Sequence, residues 1–165
     1  MSLLQGGPLQ IERDETEAQR IDRNFNELLG ELRIALPGVQ VLFAFLLTVP
    51  FAQGFSSLSD FERYLYLAVL LLTALATALL IAPTAYHRML FRKGFKPAIL
   101  FFANRAAMIG LAVLAVAMSG AILLITHVLF GEAAAIVIGS ISALVFAALW
   151  YLLPWTRGRG IEPDI

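Results

Sequence analysis

Four long uncharged apolar runs alternate with short polar stretches, and the first run is preceded by a segment whose apolar residues recur at helical spacing. In residues 14–36, Ile21, Phe25, Leu28, Leu29 and Leu32 fall on one helix face, while Arg20, Asp22, Arg23, Glu27 and Glu31 fall on the other. Asp14 with Glu17, and Thr16 with Gln19, have capping-box spacing at its start. Charges run throughout, so this amphipathic helix is expected to lie at the cytoplasmic interface or to pack on the cytoplasmic ends of the spans. Its charge is mixed rather than basic, which favours protein over anionic lipid as the surface it covers. Gly30 and then Pro37-Gly38 are expected to turn the chain from this helix into the membrane. Residues 1–13, with Gly6, Gly7 and Pro8, are expected to be a flexible tail.

The uncharged runs cover about 37–55, 64–86, 106–130 and 133–155, each near the roughly 20 residues a helix needs to cross a bilayer. They lack two-residue alternation, so helices rather than barrel strands satisfy their backbones. The expected fold is all-α: an integral membrane four-helix bundle preceded by the cytoplasmic amphipathic helix and followed by a polar tail over 156–165. Pro50 and Pro83 are expected to bend the outer end of the first span and the inner end of the second. Gly131-Glu132 predicts a tight turn, and Trp150, Tyr151 and Trp155 an interfacial aromatic belt.

Composition agrees: 59% of the 165 residues are hydrophobic, against about 45–50% in soluble domains. The net charge is zero, which gives no reason to expect a nucleic-acid partner. There is no cysteine, so disulfides, thiolate metal sites and thiol nucleophiles are excluded. The start of the chain has no apolar signal region and no lipidation pattern, so the first span is expected to serve as an uncleaved anchor. Arg13, Arg20, Arg23 and Arg33 precede the first span. Arg88, Arg92, Lys93, Lys96 and Arg105 lie between the second and third, among phenylalanines suited to the headgroup region, and Arg157 and Arg159 follow the fourth. Arg63 alone lies on the other side. The positive-inside rule then predicts a bacterial cytoplasmic membrane protein with both termini in the cytoplasm and an almost bare outer face.

Small residues at helical spacing mark expected helix contacts: Ala106, Gly110, Ala117 and Ala121 in the third span, and Ala135, Gly139, Ala143 and Ala147 in the fourth. No Asp, Glu, Lys or Arg falls at mid-depth in any run. The polar residues there, such as Thr48, Thr73, Thr77, Ser119 and Ser142, are expected to bond their own helix carbonyls. His87 and His127 are weak candidates for single ligation of a pigment or haem, and lie at opposite ends of the bundle on this topology. No catalytic motif occurs, and neither a cofactor nor a metal is expected.

The stretch Gln19-Arg20-Ile21-Asp22-Arg23-Asn24-Phe25-Asn26-Glu27-Leu28-Leu29, then Glu31-Leu32-Arg33 and Gly38-Val39-Gln40, with the later Ile81-Ala82-Pro83-Thr84-Ala85-Tyr86-His87-Arg88, resembles an uncharacterised family of small bacterial membrane proteins. The likeness covers roughly 15–155. It implies four spans and a mainly actinobacterial distribution. Members sometimes carry a sodium:proton antiporter label, an activity that calls for an intramembrane carboxylate. No functional residue carries over. The expected role is a non-catalytic accessory or scaffold subunit of a larger membrane complex, respiratory or photosynthetic in type. Partner subunits would dock on Arg20, Arg23, Phe25, Glu27 and Arg33, and the basic residues 88–105 would meet the membrane surface. The alternative is a small homo-oligomeric transporter or channel.

Overall fold

The computed structural model describes residues 17–90 and 96–158, and the side chains of 19–86, 88–89 and 100–156. The expected tail over 1–13, Arg92 and Lys93, and most of 156–165 lie outside the described residues. Four helices are long and apolar enough to cross a membrane. The first departs from expectation. Helix α1 runs without interruption from Glu17 to Thr48, with Pro37 inside it, so the amphipathic segment and the first span are one rod. At 1.5 Å per residue its 32 residues reach about 48 Å.

The physical reason lies in its buried positions. Phe25, Leu32, Val39 and Leu46 are buried at intervals of seven residues, with Leu28, Leu36 and Leu42 partly buried between them. This seven-residue seam passes straight through Pro37. The proline withdraws one N–H from the helix, leaving the Arg33 carbonyl without its usual partner, but Pro37 itself is exposed on the side away from the seam. One lost backbone bond does not outweigh a seam that continues on both sides. Near the start of α1, Phe25 packs on Ala103 with Leu28, Leu29 and Leu100 around it. Fully burying a phenylalanine where water is the alternative contributes about 1.5–3 kcal/mol.

Helix α2 (Asp60–Leu90) buries Tyr66, Val69, Thr73, Ala76, Leu80 and Pro83, at alternating steps of three and four. It continues past Pro83, which is fully buried, for a further turn and more. Helix α3 (Lys96–Phe130) buries Ala103, Gly110, Ala117 and Leu124, again seven apart. Such a repeat keeps a seam facing its neighbours when the helices cross at about +20°, as in left-handed bundles. Helices α1, α2 and α3 all touch one another. Alanines and glycines let the backbones approach: a Cβ on Gly120 would lie 2.8 Å from the Val69 side chain, and one on Gly110 would lie 3.0 Å from Leu80.

Pro50 does end a helix. Beyond Thr48 the chain forms two 3₁₀ turns, Val49–Phe51 and Gln53–Ser57. An α-helical Leu46 carbonyl would accept from the N–H of residue 50, and proline has none. The Tyr66 hydroxyl donates to that carbonyl at 2.7 Å, from the neighbouring helix and in a buried position. The Phe55 ring meets Tyr66 edge-on at 5.4 Å, so the turn is folded down onto the same side chain. Ser59 then caps α2: the Ser59 N–H donates to Glu62 at 2.7 Å and the Glu62 N–H to the Ser59 hydroxyl at 3.4 Å, a reciprocal capping box.

Helix α4 (Glu132–Ala147) follows α3 through the single residue Gly131, at φ 84 and ψ −179, a region open in practice only to glycine. It continues through a π-helical turn, Ala148–Leu152, into a short α5 (Leu153–Gly158). Among the helices described, α4 touches α3 alone. The structure is therefore a three-helix core with a fourth helix leaning on its side.

Removing the Tyr66 hydroxyl should leave the Leu46 carbonyl buried and unpartnered. Tyr66→Phe is expected to lower stability by about 1–2 kcal/mol in mixed-micelle unfolding. Pro50→Ala, which restores an N–H, should reduce that loss in the double variant. Equal losses in both backgrounds would show that the hydroxyl is not compensating the proline.

Candidate helix-contact and docking surfaces

The small residues proposed for helix contact divide sharply by position. In α3, Ala106, Gly110 and Ala117 are buried and Ala121 is partly so, all within the core. In α4 only Ala135 and Gly139 are buried. A Cβ on Gly139 would meet the Leu123 side chain at 3.1 Å, so α3 and α4 pack closely there. Ala143 and Ala147, next along the same stripe, are exposed. They line a groove of about 470 Å³ between α3 and α4, together with Ala112, Ala115, Ser119 and Ser140. The chain meets α3 again at the far end of this groove, where the Tyr151 hydroxyl donates to the Met108 carbonyl at 2.8 Å.

The polar residues within the spans make local bonds. Thr48, Thr73, Thr77, Ser119 and Ser142 each donate to a carbonyl three or four residues back in their own helix. Among the described residues no fully buried side-chain nitrogen or oxygen lacks a partner. Gln40 faces outward.

The proposed docking residues also divide. Arg20, Arg23, Glu27 and Arg33 are exposed along the N-terminal half of α1, with Arg23 and Glu27 4.0 Å apart. Phe25 is not available to a partner. It is 6% exposed and already filled into the chain's own core against Ala103. Of the basic set, Arg88 and Arg105 are exposed, and Arg105 sits 5.8 Å above the Phe101 ring. Lys96 opens α3, and its side chain lies outside the description.

His87 falls in α2, its side chain also outside the description. His127 is held among residues of the chain itself. Its Nε2 lies 3.9 Å from Glu62 Oε1, its ring meets Phe61 edge-on, and a pocket of about 380 Å³ beside it is closed by Glu132 and Ile136. This places an imidazole at the C-terminal end of α3 beside carboxylates at the N-terminal ends of α2 and α4. Among the described residues no group of three or more His, Cys, Asp or Glu is placed to hold a metal ion.

Two contacts escaped the pattern of small residues. Gly120 makes the tightest approach to α2, yet it stands one residue off the Ala117–Ala121 stripe. Tyr66 reads from sequence as one more aromatic near a span end, and only the proline four residues beyond Leu46 hints at its bond.

These four helices, long and apolar enough to cross a membrane, are consistent with a multi-pass α-helical membrane protein. Residues 14–154 match the model of a family of unknown function (DUF6328), and the chain belongs to that family. No curated protein and no solved structure matches it.

Gly139→Leu should pry α4 from α3 and cost about 1–3 kcal/mol, because the Leu123 side chain already lies 3.1 Å from where its Cβ would sit. Ala143→Leu, on the exposed part of the stripe, should change the chain's own stability by less than about 0.5 kcal/mol. Unfolding in mixed micelles checks both, and similar losses would mean that α4 packs along its full length.

Proposed function

We propose that this protein is a non-catalytic accessory or scaffold subunit of a larger membrane complex, respiratory or photosynthetic in type. It lies in the bacterial cytoplasmic membrane with both termini in the cytoplasm. The observation that carries this reading is α4. It packs on α3 alone, buries two residues, and continues its small-residue stripe into an open groove. In lipid, helices associate by close packing rather than by escape from water, and small residues set how close they come. Ala143, Ala147 and Ser140 thus offer a neighbouring span the same kind of contact that Gly139 gives Leu123.

Two further features support it. The uncharged runs carry no mid-depth carboxylate or cation of the kind that proton and ion carriers use. The exposed charged face of α1, continuous with its span, can carry a soluble or membrane-edge partner on Arg20, Arg23, Glu27 and Arg33. The concentration of cations at the end of the bundle holding Arg20, Arg88 and Arg105 supports the orientation.

A tagged chain drawn from its native membrane in mild detergent is expected to bring stoichiometric companion subunits, identified by mass spectrometry. Ala143→Phe should release them while leaving the chain folded. Recovery of a lone homo-oligomer would contradict the accessory role and favour a small channel or transporter, which ion-flux measurements in liposomes would then test.

A further inference from the structure

The charged half of α1 and the start of α3 flank a groove of about 490 Å³. Asn24, Glu27, Leu28 and Glu31 line it from α1, and Leu100, Phe101 and Asn104 from α3. Arg33 in α1 and Arg105 in α3 are the first charges reached from the uncharged runs, and the groove lies beyond both. Charges at every turn of α1 keep this end of the bundle out of hydrocarbon, so the groove opens to water. There its apolar floor, unlike the lipid-facing surface of the spans, has a hydrophobic reason to be covered. Phe101 is 66% exposed, and Leu28 and Leu100 are only partly buried.

The chemistry of the walls selects the occupant. Glu27 and Glu31 stand exposed along the α1 rim. Arg23 is 4.0 Å from Glu27 with both side chains exposed, so water screens that pair and the rim keeps its acidic character. Such a rim repels an anionic lipid headgroup. The α1 face of a second copy carries Asp22, Glu27 and Glu31 beside Arg20, Arg23 and Arg33, so it would bring as many carboxylates as cations. A segment rich in lysine or arginine complements the rim instead. Neither wall offers a sheet edge, so an occupant must satisfy its own backbone, as a helix does. The α1 wall from Ile21 to Glu31 rises about 15 Å, the length of about three helical turns.

We propose that this groove docks a cationic amphipathic helix of a companion protein, about three turns long. Its apolar face lies on Leu28, Leu100 and Phe101, and its lysines or arginines meet Glu27 and Glu31. Asn24 and Asn104 offer hydrogen bonds on the two walls. Because α1 is one unbroken helix, a partner held here is held to the span itself. The proposal deepens the accessory reading, on which it rests, by giving the chemistry of the partner on the water side.

A diazirine amino acid in place of Asn104, photoactivated in native membranes, tests it. The expected adduct joins a second protein through one segment, identified by peptide mass spectrometry. Apolar residues in that segment recur three and four apart, flanked by lysines or arginines. Glu27→Gln with Glu31→Gln, both at exposed positions, should lower the adduct yield at least several-fold. The same label in place of Asn26, exposed on another face of α1, should give far less of it. An adduct to lipid alone, to this chain or a second copy of it, or to a segment without cations would overturn the proposal. So would a yield indifferent to the two glutamates or equal from Asn26. Companions recovered with the tagged chain but no adduct at Asn104 would sink the groove alone, whereas neither companions nor adduct would sink both readings.

Discussion

Apolar side chains gain little by touching one another in a bilayer, because lipid tails are equally apolar, so what holds this chain together is how closely its helix backbones approach. That constraint explains why the buried positions recur at seven-residue intervals in α1 and α3 and at steps of three and four in α2. It also explains why so many are alanine or glycine. Ala76, Ala103 and Ala117 are fully enclosed, and Gly110 and Gly120 receive Leu80 and Val69 with no space to spare. The α1 seam then crosses the expected boundary at Pro37 without a break. A helix that begins among charged residues and ends in the apolar core is thereby one stiff element, and whatever binds its polar face acts on the span directly.

The second constraint is that every polar group at depth must find a partner. The hydroxyls of Thr73, Thr77 and Ser119 meet it within their own helices. The Leu46 carbonyl, deprived of an N–H by Pro50, is served from the next helix by Tyr66. With these needs met locally, the open features among the described residues lie at surfaces: the α3–α4 groove and the charged face of α1.

Much of the fold was legible because bilayer thickness imposes a length and hydrocarbon forbids charge. Four runs, the Gly131 turn and the self-bonded hydroxyls followed from those two facts. The failure at Pro37 is instructive. Proline is a strong local signal, but it removes one hydrogen bond, whereas the seam at Leu32 and Val39 acts on both sides of it. Local propensity lost to tertiary packing. Phe25 was misread for a related reason, since an amphipathic face shows that a residue is covered but not by what. The stripe in α4 was legible as a pattern, yet its division into a packed half at Gly139 and an open half at Ala143 depends on where α3 leans away, which no spacing reveals.

The continuity of α1 is the point on which the coupling of its polar face to the membrane core turns. In this cysteine-free chain, spin labels at Asn26→Cys and Phe45→Cys, both on exposed positions, bracket Pro37. Nineteen residues of unbroken helix place their backbones about 29 Å apart, so a single narrow distance distribution near that value, widened only by the label linkers, is expected. A distribution that is broad, or centred well below it, would mean that the chain turns at Pro37 and that the polar helix and the first span are separate elements.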